Sequence, residues 1–114
     1  MNVTSDLIIQ TLKGWVETKT PIPPQTYLDA ALKLNILIQG ETDKLTELEQ
    51  KCAEIEIRTI ELGKSSVEAK TRLKTHIEWL EYKKQEGKVK QIQEYIRIAK
   101  KYAGIINDQL NSGL

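Results

Sequence analysis

One apolar stripe constrains this chain more than any other feature, because it keeps a single phase from Ala31 to Leu62. Its members are spaced alternately three and four residues apart: Ala31, Leu34, Ile38, Leu45, Leu48, Cys52, Ile55 and Leu62, with Glu41 and Thr59 as polar members. This spacing places side chains along one side of an α-helix that packs against another helix. Gly40 lies inside the stretch, but the phase carries across it, so we expect one long helix over about residues 26–62.

The residues before this helix predict a short helix and a rigid corner. Over residues 5–19 the apolar positions have helical spacing, with Thr4 or Ser5 as the N-cap. The apolar face of this helix comprises Ile8, Leu12, Trp15 and Val16. Three prolines fall within residues 20–25, and each fixes φ and lacks a backbone donor. We therefore expect an extended corner between the two helices.

The residues after the long helix predict a tight turn at 63–65 and a second long helix. Gly63 is typical of a helix C-terminus, and Ser65 with Glu68 matches a capping box. A connection this short makes the two long helices antiparallel neighbours. The last helix is expected over about residues 66–107, followed by a frayed tail at 108–114.

The apolar residues of this last helix fall into two sets that do not share a heptad phase. The sets are Leu73, Ile77 and Leu80, then Val89, Ile92, Ile96, Ala99, Ala103 and Ile106. Gly87 lies between them, so we expect a kink or a break near residue 87.

These elements predict an all-α fold in which a short N-terminal helix accompanies a long antiparallel helical hairpin. A length of 114 residues favours one domain, and 39% hydrophobic with 29% charged residues suits a folded protein better than a disordered one. Because neither arm can bury its whole apolar surface in a bare hairpin, we expect self-association into a bundle.

The first turns of the long helix are apolar around most of their circumference. A single antiparallel neighbour can cover the stripe through Ala31 and Leu34, but not the residues that point away from it. The candidate self-association interface therefore comprises Leu28, Leu32, Ile36 and Leu37. We expect a homo-oligomer, dimer or higher, whose centre lies on this segment.

Charge is unevenly distributed along the chain. Residues 1–63 contain six Lys/Arg and ten Asp/Glu, whereas residues 64–114 contain eleven and six, so −4 and +5 combine to the net charge of +1. This uneven distribution of charge is typical of helices that pair through oppositely charged faces. The alternative is a nucleic-acid-binding surface on the last helix, since Lys and Arg contact phosphates and Tyr82, Tyr95 and Tyr102 could stack on bases. The candidate basic patch comprises Lys83, Lys84, Lys88, Lys90, Arg97, Lys100 and Lys101.

The chain has few residues of the types that commonly act in catalysis. His76 and Cys52 are the only histidine and cysteine, and the six glycines are scattered singly, which disfavours a His- or Cys-based zinc site and a phosphate-binding loop. We therefore expect no enzymatic activity, no cofactor and no metal. With no secretory signal and no apolar run long enough for a membrane span, a cytoplasmic location and no membrane partner are expected.

Three segments together resemble small, all-helical, functionally uncharacterised proteins encoded by bacteriophages. The segments are Gly14-Trp15 with Lys19-Thr20-Pro21-Ile22-Pro23-Pro24, then residues 27–34 (YLDAALKL), then residues 91–101 (QIQEYIRIAKK). The resemblance covers about half of the chain and carries no functional residues over. It implies a phage accessory or virion-associated protein that acts by binding, in the host cytoplasm or in the virion, and it does not say what is bound. Separately, we expect a protein partner of unknown identity.

Overall fold

The computed structural model describes the backbone of residues 4–19 and 21–112 and the side chains of residues 4–19 and 21–105. Over this part of the chain every regular element is a helix: α1 (Ser5–Thr18), α2 (Pro24–Glu61), α3 (Ser66–Leu73) and α4 (Ile77–Ser112). The predicted all-α fold is confirmed, and the two long helices pack against each other as the arms of a hairpin.

Helix α1 begins and ends as its sequence predicts. The Oγ1 of Thr4 accepts a hydrogen bond from the backbone N–H of Leu7 at 3.3 Å, which satisfies one of the free donors of the first turn. Lys19 ends the helix in the left-handed region at φ 53°. Thr20 lies outside the described residues, and the extended segment of the corner is short because α2 starts at Pro24, two residues earlier than expected. Pro is favourable there, since a missing N–H costs nothing in the first helical turn.

Helix α2 runs through Gly40 and ends in a glycine cap. Gly63 adopts φ 93°, its N–H donates to the carbonyl of Ile60, and the N–H of Lys64 donates to the carbonyl of Thr59. This pair of bonds is the Schellman motif, which satisfies the last carbonyls of a helix. The Oγ of Ser65 then accepts from the N–H of Glu68 at 3.2 Å and starts α3. Both predicted caps are confirmed.

The single helix expected over residues 66–107 is wrong, because the chain breaks between α3 and α4 at residues 74–76. The N–H groups of Thr75 and His76 donate to the carbonyls of Arg72 and Leu73, and the hydroxyl of Thr75 also donates to Arg72 O at 2.7 Å. These bonds close a tight turn without glycine or proline. A helix continued straight would turn Ala69 and Leu73 away from the seam, whereas the break lets both be buried.

Of the two alternatives expected near Gly87, the break is absent, since α4 runs through that residue to Ser112; the kink stays a prediction. The buried positions of α4, with the half-buried Tyr82 and Gln85 before them, keep one phase: Tyr82, Gln85, Val89, Ile92, Ile96, Ala99 and Ala103. Ile77 and Leu80, expected in the seam, are instead 65% and 63% exposed. The apparent change of register arose because the first seam positions of α4 are not aliphatic. The expected tail at 108–114 is helical to Ser112, and the side chain of Ile106 lies outside the described residues.

The helices form two compact units, and the single domain expected from the length of the chain stays a prediction. The first comprises Met1–Gln39 with Lys90–Leu114 and the second Gly40–Val89. The core of the first unit joins α1, the start of α2 and the end of α4, and consists of Ile8, Ile9, Leu12, Tyr27, Ala30, Ala31, Leu34, Ile92, Ile96, Ala99 and Ala103. Within it, the ring of Tyr27 meets Trp15 edge-on at 5.5 Å and stacks on Tyr102 at 5.8 Å.

The second unit has fewer fully buried side chains. Cys52, Ala69, Leu73 and Val89 are buried, and Leu45, Leu48 and Ile55 are half-buried on the predicted stripe of α2. The thiol of Cys52 lies 3.7 Å from the backbone carbonyl of Glu78. Leu62, the last member of the predicted stripe, lies beyond the helix end and is 82% exposed.

Candidate interaction surfaces

An exposed apolar stripe runs along the first turns of α2 in the first unit. Leu28, Leu32 and Ile36 are four residues apart, so they line up on one side of the helix. They are 43%, 59% and 66% exposed, while Ala31 and Leu34 between them are buried in the core. We call these three residues the outer stripe. Three of the four predicted interface residues are therefore exposed in the isolated chain.

Leu37, the fourth predicted interface residue, is placed differently. Its side chain is half-buried and packs against the core of the first unit. It lines a cavity of about 230 Å³ with Ile8, Lys33 and Ile36. Because α1 supplies Ile8 on that side of α2, the chain itself partly covers Leu37. The assignment of Leu37 to an interface stays a prediction.

A second cavity of about 320 Å³ lies where α1 meets the start of α2. Its lining residues are Leu7, Ile8, Thr11, Trp15, Thr26, Asp29, Ala30 and Lys33. Leu7 is 52% exposed. The first unit thus presents apolar surface from α1 as well as from the outer stripe.

Three of the predicted basic residues belong to the second unit, and two of them have partners there. Lys88 Nζ lies 3.4 Å from Glu41 Oε1, and Lys83 Nζ lies 3.5 Å from Glu86 Oε1. The Lys83 ammonium also lies over the Trp79 ring, 4.9 Å from its centroid. Lys84 is exposed.

The other four basic residues belong to the first unit. Arg97 pairs with Glu94 one turn earlier on α4. The side chains of Lys90, Lys100 and Lys101 are exposed. The tyrosines expected beside them are not free to stack on bases. Tyr102 is stacked on Tyr27, and Tyr95 is half-buried against the core. In the second unit, Tyr82 donates a hydrogen bond to Glu86 at 3.0 Å.

The seam of the second unit contains a polar layer centred on Glu41. Its Oε2 accepts a hydrogen bond from Gln85 Nε2 at 2.7 Å, and its Oε1 lies 3.6 Å from Lys44 Nζ. Burial alone would raise the pKa of Glu41. The hydrogen bond from Gln85 and the charges of Lys88 and Lys44 outweigh that effect, so the pKa lies below its ordinary value of 4.5.

The residues that could supply chemistry are dispersed or blocked. Burial, together with the charges of Glu78 and Glu56, raises the pKa of the Cys52 thiol, which keeps it in the less nucleophilic protonated form. Across the described part of the chain, no three His, Cys, Asp or Glu side chains come together as they would around a metal ion. None of the helices described combines the length and apolarity that a membrane span requires.

A third cavity, of about 330 Å³, lies in the second unit beside the turn between α2 and α3. It is lined by Ile55, Arg58, Thr59, Leu62, Lys64, Arg72 and His76. The sequence did not indicate this cluster, because its four basic residues lie in four different segments: α2, the turn, α3 and the break before α4. Only the two caps and the break bring them to one place.

Comparison of the chain with protein-family models, with curated protein sequences and with solved structures found no match.

Proposed function

We propose that this chain is a non-enzymatic interaction module that self-associates through the outer stripe, Leu28, Leu32 and Ile36. In keeping with the resemblance to phage-encoded proteins, we propose that it serves as a phage accessory or virion-associated protein with a protein partner. The observation that carries the first proposal is the exposure of three large aliphatic side chains in line on α2.

The outer stripe is unlike a scatter of single exposed hydrophobic residues. Its members are one turn apart, and Ile36 also lines the cavity that Leu37 and Ile8 share, so the apolar surface continues toward α1. Contiguous apolar surface on a folded chain usually marks an interface. Covering one such half-exposed side chain is worth roughly 0.8–1.5 kcal/mol, half the value for complete burial.

A second copy of the chain is the occupant that we propose. A two-fold axis across α2 would pair the outer stripe with itself, so each copy would cover the other with the same residues. The acidic and basic residues next to the stripe, Asp29 and Lys33, are opposite in charge and exposed. They can therefore pair across such an axis rather than repel.

The absence of enzymatic activity is part of the same proposal. It is supported by the protonated, buried thiol of Cys52 and by the partners of Glu41, which are a glutamine and two lysines rather than a second carboxylate or a histidine. Such a carboxylate has a lowered pKa and is held in its ionised form, which suits a structural role better than general acid chemistry.

The test of self-association is solution mass by light scattering across a concentration series. We expect the mass to rise toward twice 13.0 kDa and the double variant Leu32→Glu/Ile36→Glu to remain at 13.0 kDa. The matched control is Ile57→Glu/Ile60→Glu, on the same helix with 55% and 44% exposure, which should associate as the wild type does. A wild-type mass of one chain at every concentration would refute the proposal.

Nucleic-acid binding is the second candidate, favoured by the exposed pair Lys100 and Lys101 and by the net charge of residues 64–114. Against it, Lys83, Lys88 and Arg97 already have carboxylate partners. Electrophoretic mobility shifts at two salt concentrations separate the candidates. Salt-sensitive binding that Lys100→Gln/Lys101→Gln weakens would favour the second candidate, and no binding at low salt would remove it.

A further inference from the structure

The cavity beside the α2–α3 turn gathers positive charge without an equal number of carboxylates. Arg58, Lys64 and Arg72 line it, and the carboxylate of Glu68 is shared by two of them, at 4.0 Å from Lys64 and 3.0 Å from Arg72. Arg58 makes no ion pair with the residues described. The carboxylate of Glu78 also lies 3.8 Å from Nδ1 of His76, which lines the cavity. Three Lys/Arg side chains against two carboxylates leave an excess of one positive charge.

Favourable interactions with helix dipoles account for only some of the basic residues at this cavity. A basic residue in the last turn of a helix complements the negative end of its dipole, which accounts for Arg58 in α2 and Arg72 in α3. Lys64 and His76 lie outside the helices, in the turn and in the break, and they line the same cavity. The glycine cap and the break before α4 thus direct side chains from four segments toward one space.

The cavity also has an apolar wall. Ile55 is half-buried, while Leu62 is 82% exposed and has the greatest exposure among the large hydrophobic residues described. A volume of about 330 Å³ is within the range of small-molecule sites and exceeds what a bare oxyanion needs. A ligand that fills it must therefore present an apolar group to Leu62 as well as negative charge to the cations.

We propose that this cavity is a binding site for a small phosphate monoester that carries an apolar group. A phosphate monoester has a charge of about −1.5 to −2 at neutral pH, and the excess of Lys and Arg side chains over carboxylates attracts it. Its oxygens accept hydrogen bonds from guanidinium groups in a bidentate geometry, and two arginines line the cavity. The site is independent of the proposed self-association, because it uses other residues of the chain.

The test is a titration of isotopically labelled protein with phenyl phosphate, followed by the backbone amide shifts in nuclear magnetic resonance spectra. Inorganic phosphate and phenol are the comparison probes. We expect phenyl phosphate to shift the amides of Lys64, Arg72 and His76, to bind more tightly than inorganic phosphate, and to bind far more tightly than phenol. Equal binding of phenyl phosphate and phenol, shifts spread over unrelated lysines, or no shifts at all would each overturn the proposal.

The variant Arg58→Gln should weaken phenyl phosphate binding by roughly tenfold, because it removes a charged donor without breaking an ion pair. Lys51→Gln is the matched control, since it removes one positive charge from an exposed site on the same helix, two turns before Arg58 and outside the cavity lining. We expect the control to bind as the wild type does. Equal weakening in both variants would show general attraction to a basic surface and would refute a defined site.

Discussion

Gln85 donates two hydrogen bonds from its side-chain amide nitrogen to Glu41, one to the carboxylate Oε2 at 2.7 Å and one to the backbone carbonyl at 2.8 Å. The two residues occupy facing seam positions of α2 and α4 within the second unit. In helical pairs, a polar layer of this kind specifies one register, because any shift leaves polar groups unpaired among apolar neighbours. The structure thus places a specific polar contact in a seam that is otherwise packed mainly through small, aliphatic and aromatic side chains.

Replacing Gln85 with Ala should destabilise the fold. The carboxylate of Glu41 is only 14% exposed, so losing its donor leaves a partly buried charge with lysine partners alone. We expect the free energy of unfolding to fall by about 1–3 kcal/mol in urea denaturation. Gln93→Ala, an exposed site on the same helix, is the control and should cost little. An equal loss in both variants would mean that the polar layer contributes nothing specific.

The lowered pKa of Glu41 predicts a defined pH dependence of stability. The folded state holds this carboxylate ionised more strongly than the unfolded chain does, so its contribution is complete above the ordinary pKa of 4.5 and is lost as the pH falls through the lower folded value. Urea midpoints of Glu41→Gln should therefore depend less steeply on acid pH than those of the wild type. Glu47→Gln, exposed on the same helix, should keep the wild-type profile; a parallel profile for Glu41→Gln would contradict the assignment.

The sequence predicted the fold where the seam is aliphatic and not where it is polar. Ala31, Leu34 and Cys52 lie on one phase and are buried as expected. In α4 the seam begins with Tyr82 and Gln85, whose packing depends on partners that only the folded chain supplies. The break at residues 74–76 has neither glycine nor proline, so local propensity gave no indication of it.

The candidate surfaces, like the fold, could be predicted from the sequence only in part. The exposure of Leu32 and Ile36 follows from helical geometry once the seam is known, but the partial burial of Leu37 required the position of α1. The cavity beside the α2–α3 turn was beyond sequence reasoning. Arg58 and His76 are eighteen residues apart and come together only through a cap and a break.

Leu34 and Leu32 should respond in opposite ways to truncation, although they are two residues apart. Leu34 is fully buried in the core of the first unit, so Leu34→Ala should lower the free energy of unfolding by about 2–5 kcal/mol. Leu32 is 59% exposed, so Leu32→Ala should change chain stability little and should weaken self-association instead. Chemical denaturation at low concentration and light scattering at high concentration separate the two effects. A large loss of stability at low concentration for Leu32→Ala would contradict its exposed position.

The effect of replacing a glycine with Ala should depend on the backbone conformation at that glycine. Steric clashes play no part, because a Cβ added at Gly40, Gly63 or Gly87 meets nothing within 4 Å. Gly40 and Gly87 lie inside continuous helices, where Ala is more favourable than Gly by about 1 kcal/mol. Gly40→Ala and Gly87→Ala should therefore raise the thermal midpoint. Gly63 adopts φ 93° in the Schellman motif, which is strained for any residue with a Cβ, so Gly63→Ala should cost about 1–2 kcal/mol and lower the midpoint. A stabilising effect of Gly63→Ala would mean that the turn between α2 and α3 does not require the left-handed conformation.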